Sequence, residues 1–237
     1  MTEPEGAGVG GPERVVERSL ARHRDQYVEE VQRLLDATLA VMHDQETSDP
    51  TVGDILARAE LSTSAFYRHF PTKDDLLVVV LEEAHALTAA HVEERMATAT
   101  EPVDRIEQWV RAVLDLARTE ESLRRNRALL LAHPRLLQRF PQEISAGFAV
   151  LAWPLRSAIA DARRQVGLPE GDAALDARLA LSQVFSLMID AAAVRTPPGP
   201  ELVDATVAYT VRAAIGAPPP AEPSRHATRT SRARGTR

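Results

Sequence analysis

The 237-residue chain contains no cysteine, which excludes disulfides, thiolate-built zinc sites and thiol nucleophiles. Aromatic residues are scarce at 4%, so the place of each one is informative. Lysine is nearly absent: Lys73 stands among 28 basic residues, and arginine supplies the rest. No stretch approaches the ~20 consecutive apolar residues that span a bilayer, and the N-terminus lacks the apolar segment of a secretory signal. Neither a Gly-x-Ser-x-Gly elbow nor a Walker-type loop occurs, so hydrolase and nucleotide-driven chemistry have no handle. The run Gly6-Ala7-Gly8-Val9-Gly10-Gly11 follows no strand pattern and reads as flexible tail rather than a dinucleotide loop. Together these absences predict a cytoplasmic protein that is not an enzyme and has no cofactor, metal or membrane partner.

What is present is helical periodicity. Tyr27, Val31, Leu34, Leu35, Thr38, Leu39 and Met42 predict a first helix of about four turns, and Ser48-Asp49-Pro50 closes the connection after it. Val52, Ile55, Leu56 and Ala59 form the buried stripe of a short second helix. Thr51 with Asp54 three residues on is close to the Ser/Thr-x-x-acid start signal. The period breaks at Glu60-Leu61 and restarts after Ser62, a good N-cap. Phe66 and Phe70 lie one turn apart on the inner face of a third helix, which Pro71 ends by pushing the preceding residue out of the helical region. Thr72 caps a fourth helix whose apolar pattern runs through Leu76, Leu77, Val80, Leu81, Ala84, Leu87 and His91. That helix is predicted to leave the small domain and enter a larger one, as the lever between them.

The outer face of the third helix carries Thr63, Ser64, Tyr67, Arg68 and His69, and no acid lies between Thr63 and Lys73. Short hydroxyl side chains let a helix N-terminus approach a duplex closely, Arg reaches guanine edges or phosphates, and Tyr and Lys suit phosphate oxygens. This stretch resembles the N-terminal DNA-binding domain of the TetR family of one-component regulators. The resemblance rests on Thr51-Val52, Ile55, Ala59, Leu61-Ser62, the Phe66-Tyr67-x-x-Phe70 block, Pro71-x-Lys73 and Leu76-Leu77. It implies that Thr63, Ser64, Arg68 and His69, after the Ser62 cap, face base edges, and that Thr51, Tyr67 and Lys73 grip phosphates. One departure is Glu60, where the family usually has a turn glycine; if the position needs a positive φ, Glu strains it.

The formal net charge is −6, and residues 21–80 hold six basic against eleven acidic residues, which predicts modest non-specific binding with strong salt dependence. Upstream, Arg14, Arg18, Arg22 and Arg24 read either as a solvated helix start or as an arm for the minor groove.

From Pro102 the chain is helix after helix over 102–119, 121–132, 134–139, 142–166, 172–195 and 200–215, and Pro154 is predicted to kink or split the long one. The last two carry broad apolar faces suited to a dimer four-helix bundle, as the resemblance also implies. The fold class is therefore all-α: a disordered tail at 1–20, a three-helix helix-turn-helix domain at 21–80 with its motif at about 51–70, a larger helical effector-binding and dimerisation domain at 81–217, and a disordered basic tail at 218–237.

Within the larger domain Trp109, Phe148, Trp153, Phe185 and Met188 are candidates to line a cavity for an apolar effector, with Leu87 and His91 from the lever helix and Arg156 and Gln183 as polar groups. The alternative for each is simple core filling. Glu82-x-x-His85 and His91-x-x-Glu94 put possible ligands on one helix face, but no second Glu-x-x-His completes a di-metal bundle site. The predicted function is a homodimeric DNA-binding regulator, a repressor released from a palindromic operator by a small apolar ligand. Rival readings are a ligand-independent architectural DNA-binding protein and, further off, an all-helical enzyme acting on an apolar small molecule.

Overall fold

A computed structural model describes residues 11–169 and 171–216. They form helices α1 (Gly11–Asp44), α2 (Val52–Ala59), α3 (Thr63–His69), α4 (Lys73–Ala97), α5 (Pro102–Leu114), α6 (Glu120–Arg139), α7 (Pro141–Gln165), α8 (Ala173–Val194) and α9 (Pro200–Ile215), with no strand among the described residues. The predicted tails reach into segments 1–10 and 217–237, which lie outside those residues.

The small domain closes around Leu34, Leu35, Ile55, Phe66, Phe70, Leu76 and Val80, drawn from α1 to α4. Its helices start where short hydroxyl side chains cap them: Thr51, Ser62 and Thr72 each accept a hydrogen bond from the backbone N–H three residues on. The larger domain packs around Trp109, whose indole Nε1 donates to the Leu151 carbonyl at 2.9 Å, together with Val92, Val110, Leu155, Leu181 and Met188. A third cluster joins the two. Leu77 and Leu81 of α4 and Met42 of α1 pack on Ala132 and Leu136 of α6 and Ile144 of α7. Helix α4 thus contributes side chains to both cores and to the cluster that joins them.

Two expectations are corrected. Residues 11–20, assigned to a disordered tail, continue α1, because Glu13 to Arg24 is rich in strong helix formers and Pro12 sits in the first turn, where proline is tolerated. Arg14, Arg18, Arg22 and Arg24 lie on this continuous helix, the arrangement of the solvated-helix reading of the stretch. Pro134 and Pro154 lie inside continuous helices α6 and α7, where tertiary packing overrides the breaking tendency. Helix α8 is long and apolar enough on average to cross a bilayer, though Asp176, Arg178 and Asp190 interrupt it; in this fold Ala177, Leu181, Val184 and Met188 are buried and α8 packs against α6, α7 and α9.

Candidate nucleic-acid interface and ligand cleft

The turn between α2 and α3 is built on Glu60, which adopts the left-handed conformation (φ 53°, ψ 42°). Its N–H and that of Leu61 both return to the Leu56 carbonyl, which satisfies an orphan acceptor at the end of α2 in the manner of a Schellman cap. A glycine would take this conformation without a Cβ penalty; Glu takes it at a cost of about 1–2 kcal/mol. Ser62 then starts α3, its Oγ accepting from Ala65 N at 3.1 Å.

Ala65, Phe66 and Phe70 face inward, while Ser62, Thr63, Ser64, Tyr67 and Arg68 are exposed. Tyr67 is 58% exposed, its ring edge resting on Phe66 with centroids 5.2 Å apart. Thr51 is exposed at the start of α2, donating to Asp54 Oδ2 at 2.7 Å. Six of the eight residues predicted for this surface, Thr51, Ser62, Thr63, Ser64, Tyr67 and Arg68, are therefore presented to solvent on adjoining turns. Lys73 is half-buried, its Nζ paired with Asp49 Oδ1 at 2.6 Å.

His69 departs from the prediction. Its side chain is 0% exposed, its Nε2 meets Glu30 Oε2 at 2.7 Å, and the Tyr27 ring packs edge-on at 4.3 Å between centroids. It does not face a duplex, because α1 crosses behind the end of α3 and takes that side of the last turn. The acid-free character of the surface is also incomplete. Glu30 comes in from α1 and pairs with Arg68 as well as His69. Hydrogen bonding from His69, then from Arg68 and Gln26, outweighs burial and holds the Glu30 carboxyl down to about 2.

Behind the surface lies an ion-pair chain linking the domains. Asp74, buried in the first turn of α4, accepts from Arg135 and from Arg139 Nη1 (2.6 Å), both on α6. Arg135 also reaches Asp49 at 3.4 Å, and Asp49 holds Lys73. Burial opposes ionisation of Asp74, but the two guanidinium groups prevail and its pKa lies below the usual carboxylate value.

In the larger domain a cleft of about 500 Å³ opens between α7 and α8, lined by Leu137, Phe148, Trp153, Arg156, Ala177 and Leu181, among others. Phe148, Trp153 and Arg156 are thus brought together. The Arg156 guanidinium lies over the Trp153 ring, 5.2 Å from its centroid. On the inner side Phe148 stacks on His133 (4.8 Å, 15°) and meets Phe185 edge-on at 4.9 Å, while His85 approaches His133 at 6.0 Å. The other predicted pocket residues lie elsewhere. Trp109 and Met188 fill the core, and Gln183 lines a separate groove of about 450 Å³ with Leu179 and Tyr209. Leu87 is 74% exposed, and His91 sits near the surface 3.7 Å from Asp115. On α4 the face carrying Leu87 and His91 turns outward, because α5 and α7 cover the opposite one.

Sequence reasoning weighed His85 as a metal ligand against a solvated or pocket-lining helix face, and it missed His133. Both are buried, and burial pushes both imidazoles down to about 4, with the charge of His85 adding to the effect at His133. The available signal was positional: His85 continues the buried stripe of Leu77, Leu81, Val92 and Met96. Among the described residues no group of three or more His, Asp or Glu side chains is placed to hold a metal ion.

Residues 34–80 match the family model described as bacterial regulatory proteins, tetR family. No curated protein sequence matches the chain. Among solved structures, the fatty acid degradation regulator FadR from Bacillus halodurans is 14% identical, with 78% of this chain and 94% of that one covered at a TM-score of 0.61. A TetR transcription regulator from Haloarcula marismortui is 18% identical, with 80% and 98% covered and a TM-score of 0.60. RolR in complex with resorcinol is 16% identical, with 84% and 98% covered and a TM-score of 0.57. At these identities the likeness establishes the fold.

Proposed function

We propose that this chain, whose residues 34–80 match the tetR family model, is a TetR-type homodimeric repressor released from a roughly palindromic operator by a small apolar effector. The observation that carries this reading is the α3 surface: hydroxyl, phenol and guanidinium groups stand exposed on a helix whose other side is locked into a core by Phe66 and Phe70. Thr63 and Ser64 read base edges with Arg68, and Thr51, Tyr67 and Lys73 hold phosphates, Lys73 exchanging Asp49 for the backbone.

Dimerisation uses α8 and α9, where Leu175, Leu179, Leu202 and Tyr209 stand exposed on adjoining helices. A second copy covers this face in a four-helix bundle and sets two α3 helices one or more helical turns apart on the duplex. The effector enters the α7–α8 cleft, whose size falls within the ~300–1,000 Å³ usual for small-molecule sites. A ligand there displaces Phe148, which stacks on His133 of α6. Two residues further along α6, Arg135 begins the ion-pair chain to Asp74, Asp49 and Lys73, so the bound state favours a tilt of α4 and misaligns the recognition helices. The neighbour solved with resorcinol makes small aromatic compounds the first effectors to screen.

Selection of duplexes from a random pool, repeated with small aromatic compounds added, tests binding and control together. Enrichment of an inverted repeat that one class of additive abolishes supports the reading. Enrichment untouched by every additive favours the ligand-independent alternative, and no enrichment at all rejects DNA recognition.

A further inference from the structure

Glu30 is a carboxylate in the one place where a DNA-binding surface should avoid negative charge. It lies on α1, 38 residues before Arg68, and is only 8% exposed. Its Oε1 accepts from Gln26 Nε2 at 3.1 Å, and its Oε2 takes both Arg68 Nη2 and His69 Nε2. His69 is fixed in turn. Its Nδ1 is buried without a partner, so the tautomer that satisfies the pair carries its proton on Nε2 and donates to Glu30. Tyr27 closes the remaining side of the imidazole. The result is a rigid carboxylate–imidazole strut under the last turn of α3, with the Arg68 side chain 56% exposed at its outer end.

We propose that Glu30, outside the helix-turn-helix, is a specificity-determining positioning residue: it holds Arg68 so that the guanidinium addresses base edges and not phosphates. The proposal rests on the DNA-binding reading above. An unpaired arginine on a helix end swings to the nearest phosphate, where the attraction is strong and independent of sequence. Pairing with an anion cancels much of that pull. It also leaves the second Nη2 hydrogen and both Nη1 hydrogens free, which is the fork that guanine O6 and N7 accept. The same anion adds to the acidic balance of residues 21–80 and so lowers affinity for random sequence. Glu30 remains ionised throughout the pH range of any binding assay, because its carboxyl is held far below it. His69, predicted from sequence to touch bases, acts instead as the support of this anion.

The test uses the full-length chain, its selected operator duplex and a scrambled duplex of the same length, with affinities measured by fluorescence anisotropy over a salt series. Glu30→Gln is expected to bind the scrambled duplex more tightly. Its salt dependence on that duplex should steepen by about two for a dimer, one further phosphate contact per subunit. The operator-to-scrambled ratio should fall roughly tenfold, within the range of a lost bidentate base contact. Glu30→Asp, which keeps the charge, should restore the wild-type salt slope. In an Arg68→Ala background, Glu30→Gln should leave the ratio unchanged, and this arm remains decisive if the single variant melts early.

An equal loss of affinity on both duplexes with an unaltered salt slope would make Glu30 a scaffold residue and overturn the proposal. So would a further fall in the ratio when Arg68 is already absent. If wild-type protein prefers no duplex over the scrambled one, the DNA-binding reading fails first and this proposal with it.

Discussion

Gly147 sits on α7 where the imidazole of His85 presses against the helix backbone. A Cβ added there would lie 2.9 Å from Cε1 and 3.0 Å from Cγ of His85, and closer still to Nδ1, where ordinary contact begins at 3.4 Å. His85 has little room to retreat, since His133 stands 6.0 Å away between ring centroids and Phe148 5.6 Å away. Gly147→Ala therefore overpacks the junction of α4, α6 and α7, at a cost of about 1–3 kcal/mol. For a domain of this size, at about 2–4 °C per kcal/mol, the uncompensated clash alone would lower Tm by roughly 2–12 °C. Helix propensity works the other way, since Ala is favoured over Gly by up to ~1 kcal/mol, so a net loss is diagnostic of the clash. The decisive assay is a double-mutant cycle followed by thermal melting. His85→Ala alone opens a cavity, and adding Gly147→Ala to it should cost nothing further or regain stability, a coupling of about 1–3 kcal/mol. A double variant showing the plain sum of the two single effects, with no coupling, would refute the packing derived for this junction.

Acid sensitivity follows from the same pair. His85 and His133 are neutral in the folded chain with pKa values lowered from 6.5 to about 4, so the unfolded state binds more protons between those values. Stability should be full above about pH 6.5 and fall as pH drops, at up to ~1.4 kcal/mol per pH unit for each imidazole. Glu30, lowered from 4.5 to about 2, loses its contribution only below about pH 4.5, so urea titrations from pH 4.5 to 6.5 isolate the histidines. His133→Phe should remove about half of that slope, and an unchanged slope would contradict the assignment. Glu60→Gly should relieve left-handed strain of about 1–2 kcal/mol, offset in part by the greater freedom of glycine in the unfolded chain; a net gain of roughly 0.5–1 kcal/mol in urea unfolding is expected. Asp74→Asn should weaken the grip of Arg135 and Arg139, costing about 1–2 kcal/mol because both arginines are partly solvated. It should also speed amide hydrogen exchange in the first turn of α4 more than in α5, and uniform acceleration would count against a local latch.

Much of the helix-turn-helix was legible because its signals are local. Thr51, Ser62 and Thr72 announce helix starts, Pro71 announces an end, and Phe66 and Phe70 mark the inner face within a single turn. The direction of His69 was not legible. It occupies the last turn of a seven-residue helix, and its surroundings come from Tyr27 and Glu30, some forty positions earlier in the chain. The same reason hid the acid on the Arg68 surface, since nothing near Arg68 in sequence is acidic. In the larger domain, periodicity located helices but not which of two apolar stripes faces the core. Leu87 and Met188 look alike in sequence, yet one is exposed and the other buried, because α4 is covered from one side and α8 from several. Proline misled at 134, where the packing of α6 holds the helix through the missing hydrogen bond, and Pro154 does not split α7.

The chain has no native cysteine, so a single introduced thiol reports its own surroundings without background. Ser64→Cys on α3 and Leu87→Cys on the outward face of α4, each offered a selected duplex carrying a disulfide tether on a central base, test most directly whether α3 lies in the groove. The account predicts rapid cross-linking at Ser64→Cys and little at Leu87→Cys. Equal yields at both positions, or none at Ser64→Cys while the duplex stays bound, would contradict it.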